Sequence, residues 1–145
     1  LTSIAGMKTL DTGATFDDEL ETLENHFDHH DFFYIHYKAA DAAGEDGDFQ
    51  GKVQALEDLD KRIPRLLELN PEVLVVAGDH STPAIMASHS WHHVPLSLRS
   101  QWTLGENIKG FSERAFSAGS LGTMPAVGVM ALALAHAGKL AKFGA

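Results

Sequence analysis

Five side chains stand out by type and spacing: Asp41, Glu45, Asp79, His80 and His89. Carboxylates and imidazoles are the ligands of Mn, Zn and Fe, and carboxylates also suit Mg. Asp79 and His80 follow directly on the apolar run VLVVA (73–77) and Gly78. In open α/β sheets, sites lie beyond the carboxyl ends of the strands, so an acid and an imidazole delivered there are placed for chemistry. His89, His92 and His93 come next, just ahead of a second short apolar run. Asp41 and Glu45 lie in the acidic stretch AADAAGEDGDFQG, which follows Lys38. These donors suffice for two adjacent cations. Two metals about 4 Å apart can hold a phosphoryl group and stabilise both its attacking and leaving oxygens.

Other readings of the same residues stand beside this one. Asp79-His80 can equally be an Asx-type turn that caps a helix. The acidic stretch 41–48 can be a solvated turn. An EF-hand fails there: with Gly47 at loop position 6, positions 1, 3 and 12 fall on Ala42, Gly44 and Val53. His26, His29 and His30 are expected at the surface at a helix end. His36 is expected as a hydrogen-bonded core residue within a strand, and His136 as structural. Asp79-His80-Ser81 cannot form a hydrolase triad from adjacent residues, and no G-x-S-x-G elbow exists. A G-x-x-x-x-G-K phosphate loop is also absent.

Composition narrows the function classes. The 145 residues suit a single domain, and 44% hydrophobic residues are enough for a core. The formal charge is −9, from 20 acids against 11 bases. Such a surface disfavours nucleic acid and anionic membranes as partners. An acidic protein acting on an anion needs metal ions or a few focused cations. There are no cysteines, which excludes disulfides, thiolate zinc sites and cysteine nucleophiles and suits a cytoplasmic location. The most apolar stretch, 124–135, is shorter than the roughly 20 residues a membrane span needs. No signal peptide is visible. The chain starts at Leu1 without an initiator Met, which suggests a missing upstream portion.

The elements that must position these residues can be read from periodicity. FDDELETLENHF (16–27) has helical apolar spacing and acids in its first turn. FFYIHY (32–37) is aromatic and β-branched and predicts a buried strand. Residues 39–51 read as a loop. An amphipathic helix is expected over 52–69, bent or broken at Pro64. VLVVA predicts a strand buried on both faces. TPAIMASH suggests a short helix with Thr82 as N-cap and Pro83 at its first position. VPLSL (94–98) predicts a third strand, and SERAF a turn of helix within the loop-rich stretch 99–122. A final helix is expected over 124–143, with Thr123 as its N-cap. The alternation of helices and strands predicts an α/β fold with a mainly parallel sheet flanked by helices.

Taken together, HYKAADAAGEDGDFQGKV, VLVVAGDHSTPA and SHSWHHVPLSL resemble the 2,3-bisphosphoglycerate-independent phosphoglycerate mutases of the archaeal type. The ending, GFSERAFSAGSLGTMPAVGVMALALAHAGKLAKFGA, resembles the C-terminus of that family. The resemblance implies an alkaline-phosphatase-like core with two divalent metals (Mn, Mg, Zn or Co). It implies Asp41 and His89 as ligands of one metal, and Asp79 and His80 as ligands of the second. Glu45 stands where many relatives have His, and it is expected as a further, harder ligand. Lys38 is expected near the site as a phosphate contact, with His92 and His93 behind the ligands. The implied reaction interconverts 3-phosphoglycerate and 2-phosphoglycerate through a Ser nucleophile. No region before Lys38 resembles the one that carries that Ser. The chain therefore reads as the C-terminal part of such an enzyme and is expected to be inactive alone. Two alternatives remain: a phosphatase or other phosphotransferase on the same fold, and a non-catalytic α/β module. The apolar helix 124–143 is expected to meet either a missing N-terminal segment or a second copy.

Overall fold

A computed structural model describes residues 2–106 and 108–140. Its elements, in order, are α1 (Phe16–His26), α2 (Ala39–Glu45), α3 (Phe49–Asp60), α4 (Ile63–Glu68), β1 (Val73–Ala77), β2 (Leu96–Ser100), α5 (Glu113–Phe116) and α6 (Gly128–His136). They divide into two units. The first holds the residues up to Ala43 together with Gln50–Asn70; the second holds Gly44–Phe49 and the residues from Pro71 onward.

In the first unit, α1 starts at a capping box. Thr15 Oγ1 accepts the Asp18 backbone N–H at 3.2 Å, and Asp18 Oδ2 accepts that of Thr15 at 2.8 Å. The helix buries Leu20 and Leu23, and α3 buries Ala55. Tyr37 donates its hydroxyl to the Ala55 carbonyl at 2.9 Å and meets Phe16 edge-on. Arg62 grips Asp17 with two hydrogen bonds of 2.8 and 2.6 Å, and Arg65 grips Glu24 in the same forked way. These arginine forks hold the Asp17 and Glu24 carboxyls below their ordinary titration range.

Several expectations change here. Residues 32–37 form no strand, because no described strand lies alongside them. Their exposure still alternates: Phe33, Ile35 and Tyr37 face inward, while Phe32, Tyr34 and His36 are exposed. His36 is therefore not a core residue. The stretch expected as a loop over 39–51 instead contains α2, since four alanines in seven residues favour helix. Gly47, at φ 71°, ends that turn by donating its N–H to the Gly44 carbonyl at 3.1 Å. The expected helix 52–69 is two helices broken before Pro64, which lacks the N–H a continuous helix needs.

In the second unit, β1 and β2 pair antiparallel, from Val73 opposite Ser100 to Ala77 opposite Leu96. The expected mainly parallel sheet is not what the described residues form. The chain returns from β1 to β2 without a crossover helix, and a direct return of this kind pairs strands antiparallel. The reason lies in TPAIMASH, which makes one turn and stops at Ala87 with φ 45°. The third strand thus begins at Leu96 rather than Val94. β1 is half-buried rather than covered on both faces. α6 packs against β1, and its His136 Nδ1 lies 2.7 Å from Ser100 Oγ, a structural role for this histidine. α6 starts at Gly128 rather than after Thr123, with no side-chain cap. It ends at His136, and beyond the cap Gly138, at φ 66°, lets the Lys139 N–H reach the Leu134 carbonyl at 2.9 Å. Residues 141–143 of the expected final helix lie outside the described residues. Among the described residues, no helix is long and apolar enough to cross a membrane.

Candidate metal centre

The antiparallel pairing continues past β1 and carries the site with it. The Gly78 N–H donates to the Pro95 carbonyl at 3.2 Å. A side chain at Gly78 would put a Cβ 3.1 Å from that of Val94, so glycine permits this close approach. Three residues on, Ser81 and Ser90 form an isolated bridge, with the Ser90 N–H 2.8 Å from the Ser81 carbonyl. His80 immediately precedes one end of that bridge, and His89 immediately precedes the other. Their rings accordingly stand 4.0 Å apart between centroids.

Two acids meet these imidazoles. Glu45 Oε1 lies 3.2 Å from His89 Nε2. Asp79 Oδ2 lies 3.7 Å from His80 Nε2, while its Oδ1 accepts the His80 backbone N–H at 3.0 Å. The Asx-type contact and the ligand arrangement are therefore compatible. Two donors each about 2.1 Å from one ion stand about 3 to 3.5 Å apart at octahedral to tetrahedral angles. The 3.2 Å pair fits that spacing, and the 3.7 Å pair is slightly wider. The side chains of Glu45, Asp79 and His89 are each about half exposed, and that of His80 about one third, so a hydrated ion can reach them.

The second unit thus brings together Glu45, Asp79, His80 and His89. Asp41 belongs to the first unit, in the opening turn of α2, where the Lys38 ammonium donates to its carboxylate. Asp41 and Glu45 are one helical turn apart, which puts both on one face of α2. His92 is held by Ser90 Oγ, 2.8 Å from its Nδ1, and stacks on Trp91. His92 and His93 line an open cavity of about 520 Å³ with Ser81, Pro83 and Glu113. Two features escaped the reading of the sequence. One is the Ser81–Ser90 bridge that sets the histidines side by side. The other is Thr82, whose hydroxyl meets His80 rather than capping a helix. The run Asp-His-Ser-Thr carried the signal, because a hydroxyl two residues past an imidazole can reach its ring.

Known proteins bear on this arrangement. The chain is 49% identical over 145 residues to a probable 2,3-bisphosphoglycerate-independent phosphoglycerate mutase from Thermosipho melanesiensis. It is 45% identical over 146 residues to a protein of the same name from Aquifex aeolicus. Each match covers all of this chain but 36% of the relative's length. A solved protein structure from Pyrococcus horikoshii matches with a TM-score of 0.82 at 28% identity, covering 88% of this chain and 40% of that one. A family model described as the Metalloenzyme superfamily matches residues 2–136. On a match that takes in all four clustered donors and nearly the whole chain, this chain belongs to the Metalloenzyme superfamily.

Proposed function

We propose that this chain is the C-terminal, metal-holding part of a 2,3-bisphosphoglycerate-independent phosphoglycerate mutase. The full-length protein then interconverts 3-phosphoglycerate and 2-phosphoglycerate in the cytoplasm. The observation that carries this reading is the meeting of two acid–imidazole pairs, Glu45–His89 and Asp79–His80, across one bridge. The names of the relatives supply the substrate.

In this reading Asp79 and His80 hold one divalent cation. His89 and Glu45, with Asp41 from the same helix face as Glu45, hold the other. Bound cations supply positive charge to a transferring phosphoryl group. His80 and His89 must present neutral nitrogens for this, and the acids must be ionised. Lys38, which sits on Asp41, is the cation at hand for a phosphate oxygen. The attacking group comes from the rest of the protein, since the relatives carry most of their length outside the match. The chain alone is accordingly inactive.

The same reading supplies the missing sheet. An alkaline-phosphatase-like, mainly parallel sheet forms when strands from the rest of the protein pair with β1, and others pair with segment 32–37. Two observations support this. The all-apolar β1 is only half-buried, and Phe32 and Tyr34 are 48% and 57% exposed. α6 is apolar on every side, with Met130 and Leu134 exposed, and meets the same missing segment.

The test is Asp79→Ala in the full-length protein. Metal-dependent turnover should disappear while the fold is retained. Activity kept by this variant sinks the assignment of the site. Phosphate released from several monoesters without isomerisation would turn the reading to a phosphatase.

A further inference from the structure

Thr82 is 3% exposed and, among the described residues, is the one buried side chain with a polar group. A buried hydroxyl needs hydrogen-bond partners, and Thr82 Oγ1 lies 3.0 Å from His80 Nδ1. The other ring nitrogen, Nε2, lies 3.7 Å from Asp79 Oδ2. The imidazole is thus held between a hydroxyl and a carboxylate.

That arrangement bears on which nitrogen carries the proton. A neutral imidazole has one N–H and one lone pair, and a metal takes the lone pair. Beside the Asp79 carboxylate, a proton on Nε2 would gain only a longer-range attraction, because 3.7 Å is beyond hydrogen-bond reach. That tautomer would close Nε2 to a cation. A hydroxyl oxygen at Nδ1 offers the proton an alternative home and turns the Nε2 lone pair toward Asp79. A cation between Nε2 and Oδ2 then meets two lone pairs. Metal-binding histidines are commonly oriented in this way through the nitrogen that does not bind.

We propose that Thr82 is a positioning residue of the metal centre. It accepts the Nδ1–H of His80 and so keeps Nε2 open to the cation shared with Asp79. The inference rests on the metal-site reading above.

The test uses the full-length protein with Thr82→Val, which keeps the shape and removes the hydroxyl, and Thr82→Ser, which keeps the hydroxyl. Mn²⁺ calorimetry should show affinity falling about 10- to 100-fold in Thr82→Val and within a few-fold of wild type in Thr82→Ser. In the metal-free protein, long-range ¹⁵N–¹H spectra of labelled histidine should show His80 as the Nδ1–H tautomer. The same should hold for Thr82→Ser, while Thr82→Val should shift toward Nε2–H. Wild-type affinity in Thr82→Val, or a wild-type Nε2–H tautomer, overturns the role of Thr82 and leaves the metal site standing. Equal losses in both folded variants would reduce Thr82 to packing. If the wild-type protein binds no Mn²⁺, the metal-site reading itself fails and this role fails with it.

Discussion

At the scale of single residues, the site depends on donor chemistry and on one close backbone approach. Glu45 reaches His89 at 3.2 Å and contributes a hard, anionic oxygen. Glu45→His should move metal preference away from Mg²⁺ and Mn²⁺ toward Zn²⁺ and Co²⁺, because imidazole is the softer ligand. Competitive calorimetry reads this directly, and an unchanged preference would remove Glu45 from the ligand set. Gly78 is a second test. Its replacement by Ala places a Cβ 3.1 Å from Val94 Cβ, so the two segments that carry His80 and His89 must part slightly. Gly78→Ala should cost about 1 kcal/mol or more of stability by overpacking. It should also weaken metal binding, as seen by denaturation and Mn²⁺ titration of the same variant. Residue types made the candidate donors legible in the sequence: an acid and an imidazole after an apolar run, and more imidazoles nearby. Thr82 was misread because its N-cap signal is local, whereas its actual partner was set by a turn that never became a helix.

At the scale of elements, local chemistry decided some boundaries and tertiary context decided others. α1 begins where the sequence predicts, because Thr15 and Asp18 satisfy each other's backbone N–H groups without help from elsewhere. Thr15→Ala should destabilise the protein by about 1 kcal/mol, measurable by urea unfolding. A change within error would mean that packing of Leu20 and Leu23 alone sets the helix start. The break before Pro64 was equally local. Residues 32–37 behave otherwise. Their aromatic, β-branched composition is that of a strand, yet a strand exists only when another pairs with it. The orientation of β2 was hidden for a related reason. A parallel return needs a crossover helix, and TPAIMASH stops after one turn at Ala87. Periodicity alone cannot report that failure.

At the scale of the whole molecule, charge governs both stability and function. Asp17 and Glu24 titrate below their ordinary range, mainly through hydrogen bonds from Arg62 and Arg65. Asp18 does so through its bonds with Thr15. A carboxyl depressed in the folded state stabilises the fold above its unfolded pKa, and this stabilisation is lost as pH falls through the folded one. Thermal stability should therefore decline below about pH 4.5, where unfolded carboxyls begin to take protons. These groups are solvent-exposed, so the loss should be modest and smaller in high salt. Melting curves across pH at two salt concentrations check this, and stability that rises on acidification would contradict it. The net charge of −9 has a functional counterpart. A chain this acidic would repel a phosphorylated acid unless cations were bound among its carboxylates and imidazoles. The most direct measurement is therefore ³¹P NMR of 3-phosphoglycerate incubated with the full-length protein and Mn²⁺, without 2,3-bisphosphoglycerate, before and after chelation. The account predicts conversion to 2-phosphoglycerate that chelation stops and Mn²⁺ restores. Conversion that persists without metal, or an absence of conversion with metal present, would contradict it.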